Sequence, residues 1–197
     1  MKKIFSLLLV AVICSQGLNA QSSFTISYPI GFPMGNLSDY IGAVSYRGIS
    51  MEFNKRVKTN LDVGIETGWN VFYEKQAEKV YTDGTSSISG VQFRYTNSVP
   101  IILGVKFHKD INDKGLSPFG GLGLGTLYVD RSTDFGLYRI SNDAWQFCIR
   151  PELGLMIHAE RGVGFLIGVK YYAAFNTDDL DAQSYLTANI GVVFSNF

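Results

Sequence analysis

Seven charged side chains stand apart because each falls on the polar parity of an alternating segment: Glu52, Glu66, Arg94, Lys106, Arg150, Glu152 and Lys170. They are spread thinly among Gly, Ser, Thr and Asn. Where such faces converge on a confined interior, each charge must be paired or hydrated to offset its desolvation. The seven are therefore expected to form a lumen charge network, either a salt-bridge plug or the lining of a narrow ion-selective pore. His108 and His158 are the only histidines. As general bases they would need a Ser or a carboxylate alongside, and none lies at a recognisable spacing. Glu160 follows His158 with the right parity but at a turn. Gly120-Gly121-Leu122-Gly123-Leu124-Gly125 resembles a phosphate-binding loop only superficially. Such a loop opens a helix, and a strand pattern follows here. Asp178, Asp179 and Asp181 could recruit a divalent cation bridging lipopolysaccharide phosphates. Cys148, on a polar-face parity, reads as a small buried filler. These residues assign no catalytic group, no cofactor and no metal.

The composition limits what could position these groups. Lys+Arg and Asp+Glu are both 17, so no basic field exists to gather nucleic acid. Charged residues make up only 17%, aromatics 14%, and there are 21 Gly, a profile of all-β or membrane-embedded chains. Met1-Lys2-Lys3, the apolar run Ile4–Ile13 and Ala20 read as a secretory signal peptide over 1–20. Residues 21–197 are then the mature domain. Cys14 raises a lipoprotein alternative, but Ile13 stands where that signal wants a small residue. With residues 1–20 removed, Cys148 is alone and forms no internal disulfide. No later run of 18 apolar residues suggests a spanning helix.

From residue 24 onward the dominant period is two, that of a strand with two different faces. Trp145, Phe147, Ile149, Pro151, Leu153, Leu155 and Ile157 alternate with Gln146, Cys148, Arg150, Glu152, Gly154, Met156 and His158. The same alternation runs through 24–32, 45–57, 61–73, 91–108, 117–130, 163–175 and 185–197. Eight strands are thus expected. Their connections, 33–44, 58–60, 76–90, 109–116, 131–143, 160–162 and 176–184, are long and short in strict turn. That asymmetry predicts an all-β, eight-stranded antiparallel up-and-down transmembrane β-barrel, with its termini and short turns periplasmic and its long loops outside. A soluble barrel would invert the faces. The sparse charge, the long strands and the aromatics near strand ends favour lipid outside. Trp69, Tyr73, Tyr128, Trp145, Tyr171 and Phe175 form one girdle, and Phe53, Phe107, Phe165 and Phe194 the other. Pro29, Pro100 and Pro151 fall inside strands, where each removes a ladder donor, so bulges or local breaks are expected there.

A signal peptide, eight alternating strands, loop asymmetry and a final aromatic, Phe197, together resemble the small outer-membrane β-barrel family: the OmpA transmembrane domain, OmpX, OmpW and PorT-like barrels. The resemblance implies an integral protein of a Gram-negative outer membrane, in contact with its lipid and lipopolysaccharide. It also implies recognition of the last strand by the barrel-assembly machinery. The Phe197 match is partial, since Ser195 interrupts its parity and Phe194 belongs to the lipid-facing set. The function implied first is structural or surface-interacting. A narrow pore or transport component, including PorT-like participation in protein export, is the alternative. An outer-leaflet lipid-modifying enzyme comes third, because both histidines are expected at the short-turn end, far from that leaflet.

Overall fold

A computed structural model describes residues 21–83, 86–109, 115–136, 138–158 and 162–196, with side chains at 79–89 and 196 not described. The expected signal peptide, Glu160 and Phe197 lie outside the described residues. Eight strands follow in order: β1 (Ser22–Met34), β2 (Gly48–Lys58), β3 (Leu61–Asp83), β4 (Ser86–His108), β5 (Leu116–Phe135), β6 (Tyr138–His158), β7 (Val163–Ala174) and β8 (Gln183–Asn196). A short helix, α1 (Asn36–Tyr40), interrupts the first connection. Each strand pairs antiparallel with its sequence neighbour. β1 closes the barrel on β8 in unbroken register from Ser22↔Asn196 to Met34↔Ser184. Closure leaves no strand edge in the hydrocarbon, where an unpaired peptide group would find no water.

The faces sort as a transmembrane barrel requires. Leu103 and Leu153 are each 66% exposed on the outside, while Arg150 is 1% and Lys106 2% exposed within. Ile101 and Ile167 also face outward. Paired rings mark the end of the barrel that carries the long connections, with Tyr128–Trp145 centroids 5.1 Å apart and Tyr73–Tyr95 4.9 Å apart. Phe53, Phe107, Phe165 and Phe194 are exposed toward the opposite end.

Two expected loops are not loops. Most of 76–90 and 131–143 is strand: β3 and β4 stay paired to Asp83↔Ser86, and β5 and β6 to Phe135↔Tyr138. Alternation in sequence records two unlike environments. Above the membrane both faces meet water, so the pattern vanishes while the ladder continues. β2 reaches only Gly48 opposite Asn70, and β7 only Ala174 opposite Cys148. The wall β3–β6 therefore stands about 30 Å taller along its strands than the wall β7–β2.

The prolines break one ladder each and leave the other intact. Pro29 pairs with Asn189 of β8, but β1–β2 pairing stops at Ser27↔Ser50 and resumes one residue out of step at Gly31↔Ser45. Pro100 pairs with Leu127 while β3–β4 pairing skips from Ile101 to Ser98 and resumes in the same register. Pro151 pairs with Leu122 while β6–β7 skips between Ile149 and Glu152. In each case the skip falls on one flank of the proline, where its missing N–H leaves a bond unmade.

Candidate functional site

The bore is filled in layers. Nearest the long connections, Leu37 and Ile41, from α1 and the residue after it, cover Phe72, Leu127, Val129, Tyr172, Tyr185 and Cys148, all buried. Tyr172 and Tyr185 stack at 4.7 Å, and Phe72 meets Tyr185 edge-on at 5.2 Å. Toward the other end a smaller apolar layer gathers Phe119, Leu166 and Val193.

Between these layers lies a closed ring of six charges. Lys106 Nζ is 2.5 Å from Glu52 Oε1 and 3.6 Å from Glu152 Oε2. Lys170 Nζ lies 3.1 Å from both Glu52 Oε2 and Glu66 Oε2. Arg150 contacts Glu66 through Nε at 3.0 Å and Glu152 through Nη1 at 2.9 Å. Each charge touches two of opposite sign, and the three acids and three bases sum to zero. All six are nearly inaccessible to solvent. Neutral donors complete the shell: Asn54 donates to Glu52 at 2.8 Å, Ser50 to Glu66 at 3.3 Å, and the Tyr172 hydroxyl to Glu66. That last bond ties the ring to the aromatic layer above it.

β5 contributes room rather than charge. A Cβ on Gly121 would stand 2.7 Å from Glu152 Oε1, and one on Gly123 would stand 3.1 Å from Arg150 Nε. Gly104 of β4 does the same for Arg150 Nη2, at 2.9 Å. The glycine run is therefore the space that the guanidinium and carboxylate occupy.

Six of the seven charges singled out by parity meet in this ring, and Arg94 does not. Its Nη1 donates to the Tyr40 carbonyl at 2.8 Å, its Nε to Gln92 at 2.9 Å, and its guanidinium lies 5.0 Å over the Tyr40 ring. Parity gives the face of a strand but not the height along it, and Arg94 sits level with α1. Arg131 stacks on the same ring at 4.4 Å. Burial pushes the Tyr40 phenol above its ordinary pKa, although both guanidinium groups pull the other way.

Sequence spacing missed the partners of the two histidines. His108 Nδ1 is 3.4 Å from Asp62 Oδ2, and Asp62 Oδ1 is 3.2 Å from Arg56 Nε. The Ser117 hydroxyl lies 3.3 Å from His158 Nδ1. These neighbours come from adjacent strands: the pair Asp62↔Lys106 sets Asp62 diagonally beside His108. The carboxylate meets one histidine and the hydroxyl meets the other. A cavity of about 20 Å³, room for one water, opens there against Gln21, Asp62 and His158. Asp178, Asp179 and Asp181 stay exposed while Leu180 tucks into the apolar layer. Among the described residues, no three His, Cys, Asp or Glu side chains converge as a metal site would require.

No family model matches the chain, and no curated protein matches it in sequence. Solved structures do match in shape. Neisserial surface protein A superposes with a TM-score of 0.55 at 11% identity, over 89% of this chain and 96% of that one. Ail of Yersinia pestis, crystallised with the heparin analogue sucrose octasulfate, gives 0.54 at 13% identity, over 91% and 100%. The N-terminal barrel domain of Pseudomonas aeruginosa OprF gives 0.51 at 12% identity, over 90% and 100%. At such identities the likeness is one of fold, and the fold is that of the small eight-stranded outer-membrane β-barrels.

Proposed function

We propose that this protein is a sealed outer-membrane barrel with a structural and surface-interacting role: it holds the tall sheet β3–β6 above the bilayer and conducts nothing through its bore. The observation that carries this reading is the closed ring of six charges between two apolar layers. An open aqueous pore lets charges point into water one at a time. Here each is neutralised twice, so an ion entering the ring must first break contacts that water does not replace. An eight-stranded barrel is just wide enough for side chains to fill.

β1 begins and β8 ends at the end with the short turns, where Ser22 pairs with Asn196. A chain delivered from the periplasm would keep them there and present the tall wall outside. Outer-membrane lipid and lipopolysaccharide then surround the apolar belt, and the last strand is the segment that the assembly machinery would read. Two proteins that share the fold are named for a surface and for attachment and invasion: Neisserial surface protein A and the attachment invasion locus protein Ail. Single-channel recording in planar bilayers tests the proposal. Silence is expected across ±100 mV, and discrete, reproducible steps would replace this reading with that of a narrow pore.

A further inference from the structure

Above the lid the charges no longer balance. Arg94 and Arg131 both stack on Tyr40, at 5.0 and 4.4 Å from its ring centroid. The register brings them together. Arg94 lies across from Thr133, and Arg131 across from Thr96, so the two stand one diagonal step apart on the inner face of β4 and β5. Such neighbours have Cβ atoms within about 7–8 Å. In the ring beneath, every cation touches two carboxylates. Among the described residues, neither Arg94 nor Arg131 has a carboxylate within ion-pair distance.

The nearby acids are engaged elsewhere. Glu74 is the register partner of Arg94, but its carboxylate accepts from the Gly42 amide at 2.6 Å and from Gln76 at 2.9 Å. Asp134 has the opposite parity on β5 and holds Arg139 at 2.7 Å. Asn142, directly across from Arg131, is neutral. Burial pushes the Arg131 guanidinium below its ordinary pKa and Arg94 pushes the same way, against Tyr40 and the more distant Asp181.

The unmet donors have a definite shape. Arg94 uses Nε on Gln92 and Nη1 on the Tyr40 carbonyl. Arg131 Nε and Nη2 are buried and meet no acceptor. Those two nitrogens form one edge of the guanidinium, the side-on fork that matches two oxygens of a carboxylate or phosphate. A buried charged donor without an acceptor is costly, and two such cations side by side suit a dianion. A phosphate monoester carries about −1.5 to −2 charges at pH 7 and three acceptor oxygens. It can fill the Arg131 fork and still reach Arg94, whereas a carboxylate would satisfy one arginine alone. Both arginines and Tyr40 are half-buried rather than enclosed, so the approach is from the mouth, and a turn of the Arg131 side chain presents its fork.

We propose that Arg94 and Arg131, gathered around Tyr40, form a binding site for a phosphate dianion, free or as a monoester, at the mouth of the bore above α1. The site needs neither a sealed bore nor a particular orientation in the membrane.

The test uses the full-length barrel in phosphate-free glucoside micelles, titrated by calorimetry with inorganic phosphate and with glucose 1-phosphate. Saturable one-to-one binding below millimolar concentration is expected. Preference for the ester would identify a phosphate borne on a sugar or glycolipid as the occupant, and equal or tighter binding of inorganic phosphate would identify the free ion. Arg131→Gln and Arg94→Gln should each weaken binding at least tenfold while heat-modifiable gel mobility is retained. Arg139→Gln, on the other face, should leave binding unchanged. Linkage supplies a second readout: saturating ligand should raise the urea midpoint of the unsubstituted protein but not that of Arg131→Gln. No saturation by either probe at millimolar concentration, an equal loss in Arg139→Gln, or a midpoint shift that survives Arg131→Gln, as a mere brace for Tyr40 would give, would each overturn the proposal. Conductance reports separately on the sealed bore, so the two readings can fail independently.

Discussion

Glu66 makes clear what a buried ionic ring demands of each member. Its carboxylate meets Lys170 and Arg150 and also accepts from Tyr172 and Ser50. Glu66→Gln would leave two cations short of charge in a site that water does not reach. Loss of one partner from a buried pair costs about 3–5 kcal/mol. That cost should appear as a lower urea midpoint for the folded barrel in lipid vesicles. Removing a neighbouring pair should cost less than the sum of its parts, because Arg150→Met with Glu152→Gln leaves Lys106–Glu52–Lys170–Glu66 neutral and still connected. A coupling of at least 1 kcal/mol in that double-mutant cycle is expected, whereas strict additivity would mean that the six charges act as separate pairs. Gly123 is a second kind of member. Its added Cβ would stand 2.4 Å from Ile102 Cγ2 and 3.1 Å from two Arg150 nitrogens. Gly123→Ala should therefore destabilise by about 1–3 kcal/mol through overpacking, read from the same urea curves. The opposite sign would mean that the guanidinium can move aside.

At the scale of elements, legibility depended on contrast between the two faces. Within the membrane band one face meets lipid and the other a packed core. Segments such as 145–157 therefore show their strand, its side and its span in the sequence alone. Above the band the contrast is gone, and β3–β6 hid their upper halves as polar loops. α1 was hidden for another reason. Five residues are too few to form a helix on propensity, and α1 exists because Leu37 and Ile41 bury themselves on Phe72 and Val129. Of the candidate site, parity identified the six ring charges. It could not exclude Arg94, whose place along β4 sets it level with α1, beyond the ring, nor find Asp62 for His108, since cross-strand diagonals need the register. The lid makes a prediction at this same scale. Leu37→Ala should cost about 2–5 kcal/mol and speed amide exchange at Tyr185 and Phe72, yet the bore should remain silent in bilayer recordings because the ring lies beneath. Conductance in Leu37→Ala would place the seal in the lid rather than in the ring.

For the molecule as a whole, one wall is tall, the other is short, and β1 starts and β8 ends at the short-turn end, so orientation in the membrane decides which solvent meets the tall sheet. The apolar belt fixes depth but is indifferent to which end is up. The polar ends carry that information. The tall sheet places exposed Tyr138 and Ile140 well above the Tyr128–Trp145 girdle, whereas at the other end β2 turns into β3 beside Lys58. Under the proposed orientation that sheet stands outside the cell; inverted, it would stand in the periplasm. Single cysteines resolve the two cases. With Cys14→Ala to remove the other cysteine, Cys148 contributes no background labelling in the folded barrel, because it is fully buried. A membrane-impermeant maleimide added to intact cells should label Tyr138→Cys fully, and should reach Lys58→Cys only once the outer membrane is permeabilised. The reverse pattern would turn the barrel over, leave the fold and the ring as they are, and remove the basis for an external partner.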